Sequence, residues 1–176
     1  QDKRLPHLER LLDAQTFQNQ FESHFAETLQ ASGLTISSCR LDRAQYRKHK
    51  RCRVLYELTF ADQQGGESRH WFHGTMMKPG RATKHFGLLR PKYEGQSAFW
   101  PALTLWSSWD FLLWAFPFDP EMPGLQKSFQ TEDVVKTLEK NRGALHIPSS
   151  WQVSDLDVVQ VKYMPAKRCV LRYDFK

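Results

Sequence analysis

The sequence predicts an α+β fold, an amino-terminal helix packed on a curved antiparallel sheet, and three observations carry that expectation. Apolar residues recur at three- and four-residue intervals from Leu5 to about Ala31. A run opening at Cys52 alternates apolar and polar residues with period two. The phrase containing that run, "YRKHKRCRVLYELTF" from Tyr46, returns near the end of the chain as "YMPAKRCVLRYDFK" from Tyr163.

The first element is the helical stripe of Leu8, Leu11, Leu12, Phe17, Phe21, Phe25 and Leu29, closed by Ser32 and Gly33. Asp13 and Thr16 are candidate N-caps that would divide it into two helices. The residues from Leu34 to Tyr46 predict a first strand. In the next, Cys52, Val54, Tyr56, Leu58 and Phe60 share one face, with Arg53, Glu57 and Thr59 on the other. The polar, glycine-bearing "ADQQGGESR" reads as a hairpin loop and "HWFHGTMM" as the returning strand, which gives a meander.

Between "KPGRATKHFG" and "PKYEGQSAFW" the glycines, prolines and mixed charges predict a loop-rich crossing. Four of the six tryptophans follow, at Trp100, Trp106, Trp109 and Trp114, and dense large aromatics fit either a core or a ligand-stacking platform. "DFLLWAF" reads as a strand closed by Pro117, and "DPEMPGLQKSF" as a proline-fixed turn. "TEDVVKTLEKN" predicts a short helix with its N-cap at Thr131 and a stop at Gly143. From Trp151 onward, Val158, Val161, Tyr163, Cys169, Leu171, Tyr173 and Phe175 form an apolar face interrupted by the turn "MPAK". The chain closes on Lys176 in mid-strand, which reads as the end of a fragment.

With 176 residues, 40% hydrophobic and 13% aromatic, the chain has enough apolar surface for a real core. No run approaches the roughly 18 apolar residues of a membrane helix. We therefore expect a soluble, cytoplasmic protein with no membrane partner. Three widely spaced cysteines, Cys39, Cys52 and Cys169, fit reduced thiols. The net charge of +6 makes a polyanionic partner, nucleic acid included, worth testing.

Catalytic signatures are sparse: the sequence has no P-loop, no dinucleotide fingerprint, no nucleophile elbow and no paired-cysteine zinc spacing. His70 and His73 in "HWFH" would point to opposite faces of a strand, so they should not share a metal. Asp155 and Asp157 share a strand face and read as solvated carboxylates. The basic phrases offer six candidate anion-binding residues: Lys50, Arg51, Lys78, Arg81, Lys167 and Arg168. The structural alternative is that Arg51 and Arg168 flank tight turns and pair with acidic neighbours such as Glu57 and Asp174. The repeat aligns Tyr46 with Tyr163, Lys50 with Lys167, Arg51 with Arg168, Cys52 with Cys169 and Tyr56 with Tyr173, so the apolar strand face returns along with the charges.

"VVQVKYMPAKRCVLRYDF" resembles the opening strand pair of the small lobe in phosphotransferases of the aminoglycoside phosphotransferase and choline kinase type. There a Tyr-x-Pro-x-x-Arg phrase leads into the hairpin above the nucleotide. "FLLWAFPFDPEMPGL" is similar to the linker that precedes this phrase in a subset of that family. The resemblance implies a cap-like α+β domain over 1–125, similar to the amino-terminal cap of maltokinase-like proteins. It further implies a linker with a short helix over 126–157 and the start of a kinase-like small lobe over 158–176. A full-length protein of this kind would use ATP and magnesium to phosphorylate a small-molecule hydroxyl. The nucleotide-binding lysine, the catalytic-loop aspartate and asparagine and the metal-binding aspartate would all lie past Lys176. Lys78, expected on the third strand, would stand roughly where a small-lobe lysine does. The segment itself would then hold no catalytic residue, metal or cofactor, be inactive alone, and have the remainder of its own chain as partner. Two rival readings are a non-enzymatic basic module for an anionic polymer or protein partner and a cystatin-like interaction domain.

Overall fold

The computed structural model describes residues 2–97, 99–148, 150 and 156–175, which divide into two compact units, 1–116 and 117–176. Trp151 and Asp155, singled out above, lie outside the described residues.

In the first unit the apolar stripe resolves into three helices, α1 (Leu8–Leu12), α2 (Ala14–His24) and α3 (Ala26–Ser32). Asp13 separates the first two because its carboxylate accepts from the Thr16 backbone N–H at 2.8 Å, an N-cap that requires extended backbone at Asp13 itself. Gly33 ends α3 in the left-handed conformation at φ 66°, where a side chain would be strained.

The sheet follows as β1 (Thr35–Arg47), β2 (Arg51–Ala61) and β3 (Glu67–Met76), then β4 (Leu103–Trp106) and β5 (Phe111–Ala115). It is antiparallel throughout, in the order β1-β2-β3-β5-β4, and the molecule is α+β as expected. The crossing from β3 to β4 differs from the loop the sequence predicts. It holds a 13-residue helix, α4 (Arg81–Tyr93), opened by Gly80 and carrying Pro91 near its end. Gly80 and Pro91 sit towards its ends and Gly87 at its middle, and Ala82 and Tyr93 are the side chains it buries.

Residues of β2 with even numbers face α1 to α3. Phe17 stacks on Tyr56 with ring centroids 3.7 Å apart, and Phe21 meets Phe72 and Trp100 edge-on at 4.8 and 5.2 Å. Trp106 and Phe111 close the other end of this core beside Phe17. Gly74 marks the tightest approach: a Cβ there would overlap the Phe111 ring and come within 2.6 Å of the Leu112 carbonyl oxygen. Trp100, Trp106, Trp109 and Trp114 are all buried, so this tryptophan cluster is core and not an exposed stacking platform.

The second unit holds a 3-10 turn (Gln126–Phe129), α5 (Thr131–Lys140) and a two-stranded hairpin of β6 (Leu156–Met164) and β7 (Arg168–Phe175). The N-cap of α5 is Gln130, not Thr131, and no side chain caps it. Thr131 is its first helical residue. This order, turn, helix and two long strands, follows that of α1, α2, β1 and β2, with no helix matching α3 among the described residues. At the hairpin ends the pairing also repeats, Tyr46 opposite Cys52 and Tyr163 opposite Cys169. Each hairpin contains a bulge, between Leu41 and Arg43 in the first and between Gln160 and Lys162 in the second.

Candidate functional site

The turn joining each pair of long strands is held from below by a buried aspartate. In the first unit the Tyr46 hydroxyl donates to Asp2 Oδ2 at 2.7 Å and the His49 backbone N–H donates to the same oxygen at 2.9 Å. In the second the Tyr163 hydroxyl donates to Asp119 Oδ2 at 2.8 Å and the Ala166 N–H donates to it at 2.9 Å. The other carboxylate oxygen takes the N–H two residues on, from Arg4 at 2.9 Å and from Glu121 at 2.9 Å. The offset from Asp2 to Asp119 equals that from Tyr46 to Tyr163, so the repeat noted at the hairpins begins at the start of the chain.

The clamp explains the turn. His49 and Ala166 both take left-handed backbone, at φ 57° and 60°, which costs non-glycine residues about 1 kcal/mol. The hydrogen bond from that residue's N–H to the carboxylate holds the conformation, and the next N–H closes the turn, from Lys50 to the Arg47 carbonyl and from Lys167 to the Met164 carbonyl. A second repeated bond anchors each sheet to its helical layer: the Tyr56 hydroxyl donates to the Leu11 carbonyl at 2.7 Å and the Tyr173 hydroxyl to the Ser128 carbonyl at 3.1 Å. Sequence reading missed Asp2 and Asp119, although extending the offset past Tyr46 to the first residues would have found the pair.

The electrostatics follow the geometry. The Tyr46 hydroxyl, the His49 ring and the two backbone donors hold the Asp2 carboxyl well below the ordinary carboxylate range. The Tyr46 hydroxyl is raised by donating to that carboxylate. Burial, with Asp119 beside it, raises Tyr163 strongly. Burial also pushes the Cys39 thiol up to about 12 and those of Cys52 and Cys169 to about 11, so all three are unreactive as thiolates at neutral pH. All three thiols are free.

The six basic candidates fall in three places. Lys50 and Arg51 stand at the tip of the first hairpin, and Lys167 and Arg168 occupy the equivalent positions of the second. Lys78 is not on the third strand: β3 ends at Met76, and Lys78 lies in the turn whose carbonyl accepts from the Arg81 N–H at the start of α4. The proposed partners of Arg51 and Arg168 are engaged elsewhere. Glu57 pairs with Arg40 at 3.0 Å and Asp174 with Arg172 at 2.9 Å. His73 is buried and stacked beside Trp114, whereas His70 lies against Phe60 and Trp100 on the opposite sheet face. Among the described residues no three His, Cys, Asp or Glu side chains gather to ligate a metal. Among them also, no helix is long and apolar enough to cross a membrane.

Beside the first clamp is a cavity of about 310 Å³ lined by Asp2, Leu5, Leu8, Tyr46, Lys48 and His49, among others. Comparison of the chain with protein families, with curated proteins and with solved structures finds no match.

Proposed function

We propose that this chain is the amino-terminal segment of a kinase-like phosphotransferase, with residues 1–116 serving as a non-catalytic cap and residues 117–176 opening the catalytic small lobe. The observation that supports this reading is the repeated clamp. The Tyr163-x-Pro165-x-x-Arg168 phrase that resembles a small-lobe hairpin sits on a clamped turn whose counterpart in the first unit lacks the proline. A cap derived from the same plan as the lobe it precedes would carry the scaffold without the phrase.

On this reading the magnesium-nucleotide site belongs to the rest of the full-length protein, and Lys78, in the turn before α4, takes no part in it. In a full-length protein ATP would supply the γ-phosphate and a small-molecule hydroxyl would receive it. The part played by this segment is to position the hairpin and to cap the lobes. The test compares these 176 residues with the protein extended to its natural stop codon. Calorimetry should show magnesium-dependent ATP binding only for the longer protein, which should also transfer labelled γ-phosphate to a member of a panel of sugars and amino alcohols. Micromolar, magnesium-dependent binding by the 176-residue chain, or no transfer by the longer one, overturns the reading.

A further inference from the structure

Two hairpins on one plan within one chain provide an internal control for what each side chain is needed for. The second tip reaches the left-handed turn, the clamp bonds and the closing turn bond with Met164, Pro165, Ala166 and Val170. The first has Arg47, Lys48, His49 and Arg53 at those positions. In the turn that follows the aspartate, Pro120 and Glu121 in the second copy stand where the first has Lys3 and Arg4. Six positions around one clamp are therefore basic in the first unit and non-basic in the second, while the clamp bonds, the left-handed turn residue and the strand pairing next to the tip are the same in both. The second hairpin forms its clamp and turn without basic side chains at these positions, although in the first the His49 ring also meets Asp2 Oδ1 at 2.9 Å.

We infer that the clamped tip of the first hairpin, with the tethered Lys3 and Arg4, is a docking site for the phosphate backbone of duplex nucleic acid. Five consecutive tip residues, Arg47 to Arg51, are basic, and Arg47, Lys48, His49 and Lys50 are exposed. β3 flanks β2 up to the Cys52–Met76 pair, so the basic tip from Arg47 to Arg51 is what extends past the sheet, and guanidinium groups on it would engage phosphates bidentately. A tip that inserted into a lipid surface would carry apolar residues, and none of these five is apolar. The clamp contributes rigidity, so little ordering is lost on contact, and the Asp2 carboxylate is fully engaged by donors beneath the tip. This inference rests on the comparison of the two hairpins and is independent of the phosphotransferase reading.

The experiment is fluorescence anisotropy of a labelled 20-base-pair duplex against the whole chain, across a range of salt. The parent should bind with a Kd in the micromolar range at low salt, as sequence-independent phosphate contacts do. The decisive variant gives the first tip the second tip's side chains: Arg47→Met, Lys48→Pro, His49→Ala and Arg53→Val together. It should melt within a few degrees of the parent, bind at least about tenfold more weakly, and show a salt slope shallower by about 2 to 3, because each lost phosphate contact removes about 0.9 of a counterion. Arg47→Gln with Lys48→Gln serves if that variant fails to fold, with a slope shallower by about 2. The reciprocal graft, Met164→Arg, Pro165→Lys and Val170→Arg, should tighten binding. Unchanged affinity in the tip variants, no binding by the parent, or binding to phosphatidylserine vesicles in preference to duplex overturns the proposal.

Discussion

The two units share a hairpin and differ in what lies beneath it. Phe17, Phe21 and Tyr56 of the first are fully buried, because β3, β4 and β5 bring Phe72, Trp106 and Phe111 against them. Their counterparts Val134, Leu138 and Tyr173 are only half-buried and line an open groove of about 550 Å³. On the strand itself, Leu58 is buried where Phe175 is half exposed. The difference shows that clamp and turn are set locally, by an aspartate, a tyrosine and two backbone donors. The core needs the whole sheet.

That contrast sets the expected effects. Phe21→Ala should cost about 3 to 5 kcal/mol, as large truncations in close-packed cores do. Leu138→Ala, at the equivalent position, should cost about 1 kcal/mol or less, since its side chain is already partly solvated. Urea melts read by residue-resolved hydrogen exchange would separate the two, and equal costs would break the comparison. Tyr56→Phe strands the buried Leu11 carbonyl and should cost about 1 to 2 kcal/mol, against about 0.5 for Tyr173→Phe at its longer, more exposed bond.

A third expectation concerns pH. The Asp2 carboxyl is lowered in the folded chain. Its contribution is therefore complete above the unfolded carboxylate value near 3.9 and is lost as pH falls below that value towards the folded one. Thermal melts of the first unit should weaken on acidification through that window, and Asp2→Asn should remove this part of the dependence. The smallest effect is expected for Arg51→Gln combined with Arg168→Gln. Only Arg51 of this pair lies in the docking tip, so the salt slope for duplex binding should become shallower by no more than about 1, short of the tip variants.

Much of this was legible beforehand. The period-two run from Cys52 to Phe60 and the helical stripe up to Leu29 placed β2 and the helices correctly, because each has one face that must leave water. The crossing helix α4 was hidden. Gly80, Gly87 and Pro91 lower its propensity, and with only Ala82 and Tyr93 buried it has almost no apolar stripe to read. Lys78 was misplaced by two residues because the run of methionines obscures where β3 stops. The clamps escaped notice because a buried aspartate leaves no periodic signal. It is visible only as a recurrence, with 44 residues from Asp2 to Tyr46 and 44 from Asp119 to Tyr163.

The central claim, that one clamped hairpin is built twice, is tested most directly by amide exchange at His49 and Ala166, followed by NMR in the parent, in Asp2→Asn and in Asp119→Asn. Both amides donate to a carboxylate from an otherwise solvent-facing turn, so both should exchange at least about tenfold more slowly than the neighbouring Lys48 amide. Asp2→Asn should release His49 alone, and Asp119→Asn should release Ala166 alone. Protection of only one of the two in the parent, or protection at Ala166 that survives loss of the Asp119 charge, would contradict the account.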